Sequence, residues 1–431
     1  MIQPAAAASP SQRPRLVAAT MALSSDVDPL ALLGALPSER RFYWEQPEAG
    51  IAVAGVGDAL VLDAAGPERL ARVAAALPSL SEHAVLVGGF SFDPIAMPAG
   101  PWRDFASTQW RVPRVALVRR NGETRLVATG AAGDDLQREL ARARTALAAT
   151  AAPGPVPRRY ALAPLRATAR WRQDVADTLA DIADGRFAKL VLARAVRLRA
   201  DGPLDPLRAA ARLRRAYPGC TVFAVGAGAA TFVGATPERL ARVDGDRLVT
   251  AAVAGTAARG ATASADGRLA AALLASVKER AEHACVVDDL RARLAPLCDD
   301  LEVPSIPTVL ATETVQHLHT PIEGRLRPGR GLLDVAARLH PTPAICGAPR
   351  DAALAALAGR ERLARGWYGG GVGWLHADGG EIAVAIRAAL LRGTRATLYA
   401  GAGIVAGSDP DAELEETRLK LRPLLGALLE V

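Results

Sequence analysis

The sequence predicts an α+β fold: a single large unit in which large antiparallel sheets pack together and helices lie on the outside. Three observations lead there. Strand-like runs recur close together, joined by short turn signals at Asn121-Gly122, Asp244-Gly245 and Asp378-Gly379-Gly380. Helical stretches fall between these runs. The 431 residues are 50% apolar, enough to bury a sizeable core, and the 39 glycines and 30 prolines follow no period, which excludes a fibrous chain.

Taken in order, Met1 to Arg15 is rich in Ala, Pro, Ser and Gln and is expected to be a disordered tail; it lacks the apolar core of a signal peptide. Residues 16–150 form the N-terminal part. Within it Ile51 to Leu62 and His83 to Phe92 are apolar strand candidates. Arg114 to Arg120 and Glu123 to Thr129 flank Asn121-Gly122, and Pro67 to Leu77 and Asp134 to Ala148 are helix-like. His83 is a lone histidine, read as structural. Thr150 to Pro164 contains four prolines and reads as a connector, between two domains or between two lobes of one core.

Beyond the connector, residues 165–431 carry every chemical motif. Trp171 to Ala183 is an amphipathic helix, Phe187 to Arg199 an alternating strand, Leu204 to Tyr217 a helix, and Thr221 to Ala254 a run of strands. Leu269 to Leu297 reads as one long helix with a break near Pro296. Val315 to Leu326 is extended; Leu332 to Leu339 and Arg350 to Ala364 are helices. Trp367 to His376, Glu381 to Leu391 and Ala396 to Ala400 read as three strands, and an acidic helix from Pro410 closes the chain.

Bulk properties narrow the function. The formal charge is +7, yet no run of five basic residues occurs and aromatics are not interleaved with them. That pattern argues against nucleic-acid binding and suits attraction of a small polyanionic substrate. Cys220, Cys285, Cys298 and Cys346 show no C-x-x-C spacing, so neither a disulfide framework nor a zinc site is expected, and a reduced cytoplasmic setting is the default. No apolar stretch reaches membrane-spanning length.

Several residues are candidates for chemistry. Lys189 lies mid-strand beside Leu190, Val191 and Leu192; it is either an outward edge lysine or a buried one near a carboxylate, where burial favours the neutral amine and fits it as a general base. Glu238 follows Thr236-Pro237; it is either an ordinary helix-start glutamate or a partly desolvated acid able to donate a proton. Glu279 and Glu282 share a helical face, as do Glu413 and Glu416, with Lys420 beside Glu416. Each pair could be a solvated, ion-paired face. Two such helices could instead converge on one cation, and an all-oxygen set suits Mg²⁺. Arg387 ends an alternating strand with a planar fork suited to a carboxylate. Gly255-Thr256 and Gly401-Ala402-Gly403 read as loops able to offer backbone N–H groups to an anion. His283 is read as packing and Glu415 as surface.

Together these pieces resemble the chorismate-utilising enzymes. The resemblance covers about residue 165 to the C-terminus and rests on motifs in order: Phe187-Ala-Lys-Leu-Val-Leu-Ala-Arg194, Gly234-Ala-Thr-Pro-Glu-Arg239, Ala254-Gly-Thr256, Lys278-Glu-Arg-Ala-Glu-His283, Val315-Gln-His-Leu318, His340-Pro-Thr-Pro-Ala-Ile-Cys-Gly347, Ile386-Arg387, Gly401-Ala-Gly403 and Glu413-Leu-Glu-Glu416. The segment from His340, and a lysine at 189, resemble the isochorismate synthase branch, which uses water and needs no amidotransferase subunit. Salicylate synthase shares Lys189 and the glutamates and stays open as the alternative, as does a non-catalytic chorismate-binding protein.

The resemblance implies a chorismate-binding-type fold and a mechanism. Glu282 and Glu416 would hold Mg²⁺ against the ring carboxylate of chorismate, with Glu279 and Glu413 supporting it. Lys189, as neutral amine, would take a proton from water attacking C2, and Glu238 would protonate the departing C4 hydroxyl. Substrate contacts carry over to Tyr368 (with a one-residue gap), Arg387, Gly255, Thr256, Gly401 and Lys420. His317 and His340 either line the pocket or are structural. The implied product feeds menaquinone or catechol siderophore synthesis.

Overall fold

Asn121 and Gly122 both take positive φ, 53° and 78°, which is what a type I′ hairpin turn demands. The turn joins Val115–Arg120 to Glu123–Ala131, with Arg120 opposite Glu123. Other short turns join Thr221–Ala227 to Ala230–Thr236, Arg239–Asp244 to Arg247–Ala258, Gly371–His376 to Gly379–Val384 and Ala388–Arg392 to Arg395–Val405. A computed structural model describes residues 16–36, 38–77, 80–148, 156–311 and 315–429. The expected tail, and the connector up to residue 155, lie outside the described residues.

The described strands form two sheets, of twelve and ten strands, and pairing in both is antiparallel. With helices on their outer faces, this is the α+β architecture expected. The N-terminal part belongs to both sheets. Arg41–Gln46 pairs with Thr221–Ala227 in the first, and Leu86–Phe90 pairs with Gly371–His376 in the second.

The two sheets meet through aromatic side chains. Trp44 from the first and Trp374 from the second pack edge to face with centroids 6.0 Å apart. Phe42, Phe223, Phe232, Trp102 and Trp367 join them in one buried cluster. Aromatics are only 4% of the chain, so their concentration here matters: each large apolar side chain buried adds roughly 1.5–3 kcal/mol. Outer helices close the opposite faces. Pro29–Ala35, Leu136–Leu147, Pro206–Ala216 and Pro410–Leu429 bury leucines against the first sheet, and Arg69–Ala76, Val277–Leu294 and Leu332–Leu339 against the second.

Four readings need correction. Ile51 to Leu62 is not one strand: Ile51–Val56 belongs to the first sheet and Leu60–Ala64 to the second, split at Gly57 with φ 64°. Glu381 to Leu391 is likewise two strands. Gly379–Val384 lies in the second sheet and Ala388–Arg392 in the first. Both halves are apolar because both are buried, so the pattern hides the break. The long helix is two, Ala263–Ala275 and Val277–Leu294, broken at Ser276 rather than near Pro296. The Ser276 side chain accepts the Glu279 N–H and caps the second helix. Finally, Gly401-Ala402-Gly403 is no loop. It lies inside the strand Arg395–Val405, paired with Lys189–Ala200 so that Val191 faces Gly403 and Ala193 faces Gly401.

The structure also contains elements the sequence reading does not predict: the strands Leu16–Leu23, Arg41–Gln46, Thr108–Val112, Cys298–Glu302 and Thr308–Ala311, and the helix Pro29–Ala35. The connector also ends in a strand, Tyr160–Pro164, on the edge of Lys189–Ala200.

Candidate active site

The chain passes from the first sheet to the second at Pro237-Glu238, between Ala230–Thr236 and Arg239–Asp244. It passes back at Ala385–Arg387. These two crossings are bonded to each other: Val384 N–H donates to Glu238 O at 2.9 Å and Ala235 N–H to Arg387 O at 3.2 Å. Arg387 takes φ 49° in its crossing, a left-handed conformation unusual for a non-glycine residue and frequent at functional sites. The crossings therefore place the Glu238 carboxyl and the Arg387 guanidinium on the wall of one cavity of about 330 Å³.

Thirteen of the fourteen residues expected at the site line that cavity: Lys189 and Glu238, the four glutamates 279, 282, 413 and 416, and Gly255, Thr256, His317, Tyr368, Arg387, Gly401 and Lys420. Lys189 opens the strand Lys189–Ala200, between Ala348 on one side and Val405 on the other. It is buried, and its Nζ donates to Glu282 Oε1 at 2.7 Å. The adjacent glycine strand gives it room. A Cβ at Gly403 would lie 2.9 Å from Lys189 Cε.

Glu238 keeps a partly exposed edge toward the cavity. Desolvation pushes its carboxyl up from 4.5 to about 7, against the opposing pull of Lys189, Lys420 and Arg387. Burial lowers the Arg387 guanidinium below its ordinary range. Tyr368 is buried and stacks on Tyr399 with centroids 5.2 Å apart, and burial pushes its hydroxyl up to about 12, so it stays a neutral donor.

Gly255-Thr256, expected as a loop, lies inside the strand Arg247–Ala258, whose register shifts at Gly255 with φ 77°. This bulge turns the Gly255 carbonyl toward His317, whose Nδ1 lies 3.2 Å away. Burial depresses His317 to about 4, so its ring is neutral near pH 7. The Thr256 N–H, expected to face substrate, donates here to Glu279 Oε2 at 3.2 Å. Lys420 bridges the closing helix to the strand, 2.5 Å from Glu416 and 3.0 Å from the Gly401 carbonyl.

His340 is the residue the structure does not bring to the cavity wall. It is buried, bonds the Gly369 carbonyl through Nε2 at 2.9 Å and packs edge-on to Phe90 and Phe92. Burial depresses it to about 3. Its place is in the packing between the two aromatic rings. His283 bonds Thr320 at 2.8 Å in the core, and Glu415 is exposed beside Arg418, as read.

The carboxylates carry the question of a metal. Glu413 is raised by burial, hydrogen-bonds Ser408 and neighbours Glu416. Its Oε2 is buried with no hydrogen-bond partner. Among the described residues no three His, Cys, Asp or Glu side chains close into a ready ligand group. Mg²⁺ needs no such cage: one or two carboxylates with waters and substrate oxygens suffice. The all-oxygen set and the orphaned Glu413 oxygen fit that demand.

Three participants were missed. Lys278 and Ser408 line the cavity. Lys278 stood in plain view beside Glu279, and Ser408 precedes the Asp-Pro that starts the closing helix. Arg365 lines it too, paired with Glu361 and donating to the Val191 and Ile345 carbonyls at 2.7 and 2.9 Å. Glu361 in turn accepts the Ala193 N–H. This buried pair holds the backbone just beyond Lys189. Among many arginines, Arg365 carried no signal except its i,i+4 spacing from Glu361.

Comparison with known proteins adds a second line. The family model described as chorismate binding enzyme matches residues 3–429. The salicylate biosynthesis isochorismate synthase of Pseudomonas aeruginosa is 38% identical, over 96% of this chain and 90% of that protein. The isochorismate synthase MenF of Bacillus subtilis is 33% identical, over 90% and 88%. In structure, MenF, the menaquinone-specific isochorismate synthase from Escherichia coli, superposes with TM-score 0.82 at 29% identity, covering 96% of this chain and 95% of that one.

Proposed function

The chain belongs to the chorismate-binding enzyme family, and from that premise we propose an isochorismate synthase that works with Mg²⁺. Its reaction is the isomerisation of chorismate to isochorismate, with water added at C2 and the C4 hydroxyl lost. The observation that carries the reading is one cavity lined by a buried lysine, a proton-bearing glutamate, four further carboxylates, and Arg387 and Lys420 for an anionic substrate.

Lys189 is the base. Paired with Glu282 at rest, it must first give up a proton to that carboxylate or to solvent; as the neutral amine it then takes a proton from the water that attacks C2. Glu238 is the acid, since a carboxyl with a pKa of about 7 still holds its proton in a substantial fraction of molecules near neutrality. It gives that proton to the C4 oxygen, which leaves as water, while the ring double bonds shift. One water enters and one departs. The Arg387 fork and Lys420 hold anionic groups of the substrate, and Tyr368 donates from its neutral hydroxyl. Glu282 and Glu416 would ligate Mg²⁺, with Glu279 and Glu413 supporting it. When bound, the ion supplies positive charge opposite the ring carboxylate. Water is the nucleophile, so no ammonia-supplying subunit is required.

The test is incubation of purified protein with chorismate and Mg²⁺, followed by separation of the products. Isochorismate is expected; chelation with EDTA abolishes it and added Mg²⁺ restores it. Salicylate with pyruvate would replace the reading by salicylate synthase, and anthranilate formed on adding ammonium would overturn both.

A further inference from the structure

A second cavity of about 630 Å³ adjoins the catalytic one. Its walls come from the helix Pro206–Ala216, the closing helix Pro410–Leu429 and the strand Val315–Leu326. Thr256, His317, Arg387, Glu416 and Lys420 line both cavities and form their common boundary. The second cavity contains none of the reacting pair.

Its charge is one-sided. Among the described residues, Arg212, Arg215, Arg387, Lys420 and Arg422 line it against a single carboxylate, Glu416. That carboxylate is already ion-paired with Lys420 at 2.5 Å. Arg215 and Arg422 come from two different helices, lie on the same cavity and are both exposed to solvent. The neighbouring Arg214 behaves differently: it is drawn to Asp28 and Glu45 and does not line the cavity. A solvent-filled recess with low-dielectric walls and one sign of charge concentrates small ions of the opposite sign.

We propose that this recess is a cationic antechamber, in which Arg215 and Arg422 draw a small dicarboxylate toward Arg387 and Lys420 and so into the catalytic cavity. The two arginines act through their field and make no contact with the reacting atoms. The proposal rests on the chorismate reading, since chorismate carries two carboxylates. It accounts for a feature that reading leaves aside: the catalytic cavity sets five cations against five glutamates, whereas the adjoining recess carries an excess of cations over its described carboxylate.

The experiment compares the full-length wild type with the Arg215→Glu/Arg422→Glu double variant and the Arg215→Lys/Arg422→Lys control. KM and kcat for chorismate are measured with saturating Mg²⁺ at ionic strengths of about 0.02 M and about 0.5 M. At low salt the charge-reversed variant should show KM raised about tenfold with kcat within about twofold. At high salt the KM ratio should fall to about two, because the screening length shrinks to a few ångströms. The lysine control should match the wild type, which a purely structural role for the arginines would not give. An unchanged KM at low salt, an equal KM ratio at both salts, or a loss confined to kcat would overturn the antechamber. Melting temperatures of all three proteins reveal any misfolding, and an unfolded double variant is replaced by Arg215→Gln/Arg422→Gln under the same criteria. A wild type that does not turn over chorismate overturns the functional reading and this inference with it. An active wild type with an indifferent variant overturns the inference alone.

Discussion

Glu238 is raised to about 7 because it gives up much of its hydration where the chain crosses between sheets, with three cations only partly compensating. The raised value has a sign. Between pH 4.5 and about 7 the folded chain holds a proton that the unfolded chain releases, so stability falls as pH rises through that window and the penalty is complete above it. Glu238→Gln should therefore melt a few degrees higher than wild type at pH 8 and gain nothing at pH 4. An equal gain at both would refute the assignment. The same variant should lose about 10²–10⁴ in kcat, the usual worth of a positioned acid. In the wild type, kcat/KM should decline above pH 7 as the carboxyl empties. Lys189→Ala should lose turnover to a similar degree while keeping its melting temperature. Gly403→Ala tests the space around the amine without removing it. The new methyl would sit 2.9 Å from Lys189 Cε and displace a flexible side chain rather than backbone. We expect kcat down by about tenfold or more with thermal stability nearly unchanged; full activity would show that the amine has slack.

At the scale of elements, the break at Ser276 decides where two carboxylates point. A continuous helix through residues 263–294 could not redirect its axis there. The serine ends one helix, caps the next through the Glu279 N–H, and starts a new axis whose first two turns carry Glu279 and Glu282 on the cavity wall. Ser276→Ala should cost about 1 kcal/mol of stability, within the range of about 0.5–2 kcal/mol for a lost cap, and Ser276→Gly only a few tenths. It should also raise the Mg²⁺ concentration needed for half-maximal rate, measured by metal titration; an unchanged Mg²⁺ requirement would separate the cap from the site. Helical spacing revealed the E-x-x-E pair; Ser276-Val-Lys-Glu279 also has the S-x-x-E spacing of an N-terminal cap, but the helix-forming residues on both sides of it made the run read as continuous. The crossing at Ala385–Arg387 was illegible for a related reason. Val384 to Ala388 reads as one alternating strand because both flanking segments are buried, and only the φ of Arg387 marks the change of sheet.

For the whole molecule, the N-terminal part is built into both sheets. Its strand Arg41–Gln46 completes the hydrogen bonding of Thr221–Ala227, and Leu86–Phe90 does the same for Gly371–His376. Trp44 and Trp102 lie in the same buried cluster as Trp367 and Trp374. A chain restricted to residues 165–431 would expose two inner strand edges and half of an aromatic core. It should be aggregated or unfolded by circular dichroism and size-exclusion chromatography. A monodisperse, cooperatively melting fragment would show that residues 165–431 are a domain in their own right.

What the sequence by itself determined is local. Turn residues specified hairpins, helical spacing put carboxylates in pairs, and the order of motifs marked the family and the residues to watch, because these depend only on neighbours along the chain. Lys189, Glu238 and the four glutamates were found this way. Tertiary structure alone decided how they meet. It turned the presumed glycine loop at 401–403 into a strand that leaves room for Lys189, and gave the Thr256 N–H to Glu279. It withdrew His340 into aromatic packing, and recruited Arg365 and Glu361 behind the site. Each of these depends on which strand lies beside which, and on how much water is left around a charge. Those quantities are set by residues tens or hundreds of positions apart, and no local pattern records them.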